Sequence, residues 1–160
     1  MKLPDKEYQV KAGFLFNFTQ FVEWPAESFP AKDSPLVVGI LGPDPFGDYL
    51  DEMVKGETVG SHPIKVLRFH RIEDVKDCQI LFISGPEAQR PENVFAALKE
   101  RRILTVGDSE DFSKRGGMVG FVTKNGKIRL QINTESVQAA DLTVSSKLLR
   151  LADIVSTGKG

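Results

Sequence analysis

The sequence predicts one α/β domain built on a mixed sheet that runs parallel through its middle. Three observations carry this. Short, mostly apolar runs at Leu36–Leu41, Ile80–Ile83 and Ile103–Val106 suit strands covered on both faces. Segments of helical period alternate with those runs, the pattern that lays helices on a parallel sheet. Later in the chain, Lys124-Asn125-Gly126 joins two further strand-like stretches, and an Asn-Gly pair suits the positive φ angles of a tight hairpin.

Taken in order, residues 5–23 read as an amphipathic helix, with Val10, Phe14, Leu15, Phe18, Phe21 and Val22 on one arc. Pro25 ends it, because the residue before a proline is pushed out of helical angles. After a loop bracketed by Pro30 and Pro35 comes the first strand, Leu36–Leu41. Gly42-Pro43-Asp44-Pro45 turns the chain into a short helix at 46–53, with Asp44 placed to cap it. Residues 64–69 form the second strand and Ile80–Ile83 the third. A helix is expected at 91–101, where Pro91 suits a first-turn position. The fourth strand, Ile103–Val106, leads through Gly107-Asp108-Ser109 to a short helix at 111–114. The hairpin strands are 118–123 and 127–132. A loop at 141–143 precedes a last helix, in which Leu148, Leu151, Ala152 and Val155 repeat at helical spacing. No repeat or linker divides the chain, so a single domain is expected over 5–156, with a disordered tail at 157–160.

Length and charge narrow the function. A chain of 160 residues is large enough to bury its own core. With 21 Lys+Arg against 22 Asp+Glu the net charge is −1, which excludes the basic footprint of a nucleic-acid binder. No apolar run reaches the roughly 20 residues that span a bilayer. Cys78 is the only cysteine, which rules out an intrachain disulfide and any cysteine-based metal site. No secretory signal is visible in Met1–Asp5, which fits a cytosolic protein or an exported one whose signal has been removed. The composition is unusual in its aromatics, with 11 Phe against two Tyr and one Trp.

In sheets of this kind ligands sit beyond the carboxyl ends of the strands. The candidates there are Asp44, Phe46, Ser84, Asp108 and Ser109. Gly42-Pro43-Asp44-Pro45-Phe46-Gly47 is not a dinucleotide fingerprint, and its prolines remove amide donors that a phosphate needs. A phosphoacceptor would need Asp at the end of the third strand, where Ser84 stands. Asp44 and Asp108 fit helix caps better than an acidic site. His62 and His70 lie outside any nucleophile motif, and Cys78 reads as a small buried hydrophobe. The sequence therefore predicts no catalytic residue, no metal and no cofactor. Two features remain. Lys11 lies inside the apolar arc of the first helix, where it either snorkels to solvent or meets a carboxylate. Phe16 projects to the opposite side with Gln9 and Gln20, near Trp24 and Phe29, as a patch for a partner would.

An ordered set of motifs then carries a resemblance. Val10-Lys11-Ala12-Gly13-Phe14-Leu15-Phe16-Asn17-Phe18 is followed by Phe21-Val22-Glu23-Trp24-Pro25, Leu41-Gly42-Pro43-Asp44-Pro45-Phe46-Gly47 and Cys78-Gln79-Ile80-Leu81-Phe82-Ile83-Ser84. Leu104-Thr105-Val106-Gly107-Asp108, Arg115-Gly116-Gly117-Met118, Ile132-Asn133 and Ser145-Ser146-Lys147-Leu148-Leu149-Arg150-Leu151-Ala152 complete it. The set resembles YfiR-like proteins over residues 10 to 155. That resemblance implies a three-layer, Rossmann-like domain, export to the periplasm and a homodimer. It also implies repression of a membrane-bound diguanylate cyclase through that enzyme's periplasmic sensor domain, which lowers cyclic di-GMP and controls biofilm formation. A sensor kinase is the other partner type considered. The interface candidates are Phe16, Asn17, Gln20, Trp24, Leu148, Leu149 and Arg150. The alternative is a small-ligand sensor using the strand-end loops. The chain departs from the family pattern at Gly39, where a cysteine able to pair with the position of Cys78 is common, and at Asp141 and Gly120.

Overall fold

The computed structural model describes residues 3–158. The chain opens with helix α1 (Lys6–Phe21) and strand β1 (Val22–Glu23), then passes through β2 (Leu36–Leu41), α2 (Asp48–Val54), β3 (Thr58–Val59) and β4 (His62–Phe69). It continues through β5 (Ile80–Ile83), α3 (Pro86–Gln89), α4 (Pro91–Ala97) and β6 (Leu104–Gly107). The last third comprises β7 (Val119–Lys124), β8 (Lys127–Asn133), α5 (Thr134–Ala139), β9 (Thr143–Val144), α6 (Ser146–Leu149) and β10 (Ala152–Val155).

Eight strands form one sheet in the order β10-β8-β7-β6-β5-β2-β4-β3, and β1 pairs with β9 in a separate two-stranded ladder. β4, β2, β5, β6 and β7 run parallel, β7 and β8 form the antiparallel hairpin, and β10 returns parallel to β8. The expected α/β class and mostly parallel mixed sheet are therefore what the chain adopts.

The alternation of side chains along β2 explains the three layers. Leu36, Val38 and Ile40 face a core shared with Leu15 and Phe18 of α1, Leu50 and Val54 of α2, and Val137 of α5. Val37 and Leu41 face the opposite core, closed by Ala88 of α3 and Val94 of α4. Each such aliphatic side chain taken fully from water stabilises the fold by roughly 1.5–3 kcal/mol.

The first helix is rotated from the arc read in the sequence. Its buried residues are Lys11, Ala12, Leu15, Phe18 and Thr19, whereas Val10 is 42% exposed. Ala12 and Thr19 join the buried face in place of Val10, while Lys11, Leu15 and Phe18 stay on it. The helix stops at Phe21, since Val22 and Glu23 extend to pair with Val144 and Thr143.

Other boundaries differ for local reasons. The helix expected at 91–101 is shorter: α4 ends at Ala97, α3 lies before it at Pro86–Gln89, and the chain after Ala97 turns through Glu100 (φ 69°) and Arg102 (φ 54°) in left-handed conformations that end helical pairing. Residues 111–114 form turns, and α5 arises where only a strand end was read. The last helix is the largest correction. Helical spacing at Leu148, Leu151, Ala152 and Val155 yields to α6 followed by β10, which pairs with Leu130–Asn133 of β8. A helix would have had to bury Leu151, which instead lies 63% exposed at the turn between them. The β7–β8 hairpin is consequently interior to the sheet, and β10 is the edge. Of the tail expected at 157–160, Thr157 Oγ1 accepts a hydrogen bond from Asn133 Nδ2 (2.7 Å) and Gly158 N donates to Lys114 O (2.8 Å). Residues 159 and 160 lie outside the described residues.

Candidate functional site

The place to look for chemistry is the point where the sheet changes winding direction, because a crevice opens there between diverging loops. β2 has β4 on one side and β5 on the other, and the intervening helices lie in opposite layers. Here the loops after β2 and β5 meet, and a cavity of about 560 Å³ remains beside them, lined by Asp44, Arg68, Phe69, His70 and Glu87 among others. Gly42 N donates to Phe69 O at 3.0 Å, and Ser84 N donates to Leu41 O at 2.9 Å. A Cβ placed on Gly42 would lie 2.6 Å from Ser84 O, and one on Gly85 would lie 2.5 Å from Pro43 Cδ. Both glycines also have positive φ, 94° and 64°, which side chains rarely adopt. The two strand-end loops thus close on each other, backbone against backbone.

The five strand-end candidates separate accordingly. Phe46 is 1% exposed and packs edge-on against both Tyr8 and Phe82, so it belongs to the core. Asp44 is not a helix cap, since Gly47 occupies that position before α2. Its Oδ1 instead accepts from Phe46 N (2.8 Å) within the loop, and its Oδ2 pairs with Arg68 Nε (3.0 Å). Arg68 also donates to Asp51 and to Gly47 O (3.0 Å), so a β4 side chain clamps the whole 44–51 turn. Ser84 contributes its backbone to the closure. Ser109 Oγ is buried without a hydrogen-bond partner.

Asp108 is the most consequential of the five. It lies beyond β6, and its Oδ2 accepts from Lys11 Nζ and from Tyr8 OH, both at 2.8 Å. Lys11 is 3% exposed, and it also pairs with Glu7 one turn earlier on α1. Its Nζ stands 4.5 Å from the centre of the Tyr8 ring, a cation over an aromatic face. Of the two fates open to Lys11, the carboxylate partner is the one realised. Burial, and then the hydrogen bond to Asp108, push the Tyr8 phenol well above its ordinary range. It therefore keeps its proton at neutral pH and serves as a donor. The cluster joins α1 to the end of β6 as a charge-compensated clasp. The sequence pointed to Lys11 and Asp108 separately, but Tyr8 and Arg68 carried no signal of their own.

Cys78 is a free, buried thiol whose pKa burial pushes up to about 12. A Cβ at Gly39 would lie 2.9 Å from its Sγ and 2.8 Å from Phe69 Cε2. Any side chain at Gly39 would therefore have to displace Phe69 or Cys78, and the close packing here depends on glycine. Among the described residues no group of three or more His, Cys, Asp or Glu is gathered closely enough to share a metal ion.

The interface candidates come to one end of the molecule. Ser145 N donates to Phe21 O at 2.8 Å, and the β1–β9 ladder holds the end of α1 beside the start of α6. Asn17, Gln20 and Arg150 are exposed, while Phe16, Trp24 and Leu149 are half-buried. Trp24 Nε1 donates to Gln79 O (3.0 Å), so one edge of that indole is committed to the fold. Leu148 is 2% exposed and belongs to the core, which removes it from any docking surface. No helix among the described residues is long and apolar enough to cross a membrane.

The fold and this arrangement define a doubly wound α/β domain in which the loops after β2 and β5 pack against each other at the usual ligand crevice. Comparison with known proteins is consistent with that class. The chain belongs to the YfiR/HmsC-like family (DUF4154), whose family model matches residues 8–153. No curated protein matches the chain. Among solved structures, it is similar in fold to the ABC domain in complex with L-Trp from Streptococcus pneumonia, with a TM-score of 0.52 and 11% identity. That match covers 75% of this chain and 55% of the other, so the chain spans about half the length of that domain.

Proposed function

We propose that the protein is a non-enzymatic periplasmic regulator that binds a membrane-bound signalling protein and holds it inactive. The observation that carries this reading is the family match over residues 8–153. The partner is the periplasmic sensor domain of a diguanylate cyclase, and repression lowers cyclic di-GMP and with it biofilm formation. The site agrees with a binding role. The crevice at the strand ends is narrowed where the loops carrying Gly42, Pro43, Ser84 and Gly85 meet, and Lys11, Tyr8 and Asp108 are spent on one another. The docking surface combines Asn17, Gln20 and Arg150 with the half-buried Phe16, Trp24 and Leu149, and the protein acts as a homodimer.

Deleting the gene in its source organism tests the reading directly. Cyclic di-GMP is expected to rise several-fold and to return to its original level on complementation. Unchanged cyclic di-GMP in the deletion strain would overturn it. Sedimentation at tens of micromolar tests the dimer, which a purely monomeric profile excludes.

A further inference from the structure

The sheet is incompletely paired beside β6, and the gap is a cleft. Only Val106 and Gly107 of β6 pair with β7, at Val119 and Gly120. The flank of β6 at Ile103 and Thr105 therefore has no strand beside it, and Met118 N bonds to the Thr105 hydroxyl oxygen at 3.0 Å instead of to backbone. The space left between α4 and α5 has a volume of about 310 Å³. That is at the small end of the range for small-molecule sites, which are mostly apolar with a few polar groups converging on the ligand.

Its walls have that character. Phe95, Leu98, Ile103, Met118, Ala139 and Ala140 line it. Thr105 stands in the wall at 3% exposure. Its oxygen accepts from Met118 N, and its own proton has no protein acceptor among the described residues, so it is a buried donor available to a guest. At the mouth stand Lys99 and Arg102, on the turn bent by the left-handed Glu100 and Arg102. Lys99 has no ion-pair partner among the described residues. Arg102 reaches Glu27 and Asp141 only at 3.5 Å, longer than a charge-assisted hydrogen bond, and both acids are largely exposed. Glu100 shares the rim and opposes an anion, and Glu27 and Asp141 flank Arg102, so Lys99 is the uncommitted cation and Arg102 must exchange its long ion pairs to join it.

We infer that this cleft binds a small anionic amphiphile, an aryl or medium-chain alkyl carboxylate. Its apolar body lies against Phe95, Leu98 and Met118, Lys99 and Arg102 meet its anion, and Thr105 donates to an acceptor on it. Its mouth borders the docking surface proposed above, since Arg102 pairs with Glu27 and Asp141 beside β1 and β9, but the inference does not rest on any partner.

The probe is 8-anilinonaphthalene-1-sulfonate, whose fluorescence rises in apolar sites, with decanoate and decylamine as competitors. One probe molecule is expected to bind per chain and to be displaced by decanoate, not by decylamine. Ala139→Trp, which fills the cleft, should abolish the signal at unchanged circular dichroism. The double variant Lys99→Gln, Arg102→Gln should weaken the sulfonate by about tenfold, the equivalent of one weak ion pair. It should leave neutral N-phenyl-1-naphthylamine unaffected. Full signal in folded Ala139→Trp would refute the site, and equal displacement by decylamine would refute the anionic class. Should Ala139→Trp fail to fold, amide shifts of Phe95, Thr105 and Met118 in the wild type on adding decanoate decide the matter. If those amides do not shift, the inference fails.

Discussion

At the scale of single residues, Lys11 shows how one buried charge ties a helix to the sheet. Its ammonium is almost fully removed from water and compensated by Asp108, which is itself only 19% exposed. Removing one member of such a pair strands the other. Lys11→Met is expected to lower unfolding stability by about 2–4 kcal/mol in urea titration, less than for two fully buried charges because Asp108 retains Tyr8 and some solvent. Adding Asp108→Asn to that variant should recover part of the loss, the coupling that a double-mutant cycle isolates. Cys78 makes a second case. The buried thiol keeps its proton up to about 12, against about 9 when unfolded, so the native state binds the extra proton in between. Its contribution is complete below pH 9 and declines as pH rises from there. Urea midpoints should therefore fall between pH 9 and 11, and Cys78→Ala should flatten that slope. At pH 8 the folded protein should resist a thiol reagent that modifies the denatured chain at once.

Among elements, the loops after β2 and β5 behave as one unit although they lie 42 residues apart in sequence, as Gly42 and Ser84 show. Gly85→Ala must accommodate a methyl group 2.5 Å from Pro43 Cδ at a φ of 64°, and Gly42→Ala one 2.6 Å from a carbonyl oxygen at 94°. Each is expected to cost about 2 kcal/mol or more, read as a lowered denaturation midpoint. The central strands were legible in the sequence because continuous apolar runs buried on both faces have few other fates. The C-terminal segment was not, because Leu148, Leu151, Ala152 and Val155 satisfy helical spacing while Ala152–Val155 can also pair as a strand. Only the presence of β8 beside it decides between them. The clasp was half legible. Lys11 stood out within an apolar stripe, but nothing local to Asp108 distinguishes a partner for α1 from the cap of a following turn. Leu148 was misread as surface for a related reason: the ladder of β1 on β9 that turns α6 inward joins positions 22 and 144, a contact no local pattern encodes.

For the whole molecule, the eight-stranded sheet is stitched unevenly. β2 pairs with β4 over six residues, and β7 with β8 over six, but β6 meets β7 over two. Native-state hydrogen exchange is expected to reflect this, with Val119 and Gly120 exchanging faster than Val38 and Ile40 of the central strand. Amides of the two regions exchanging at one common rate would count against it. The N-terminal helix spans the junction, since Phe18 of α1 stacks on Phe121 of β7 and Phe14 packs tilted against it, while Lys11 reaches Asp108 beyond β6. In mechanical terms the protein is two stiff plates joined by a two-rung seam and strapped on one side by α1. Bending would concentrate at that seam, where the plates can tilt without breaking either ladder, and the cleft beside β6 would widen or narrow as they do.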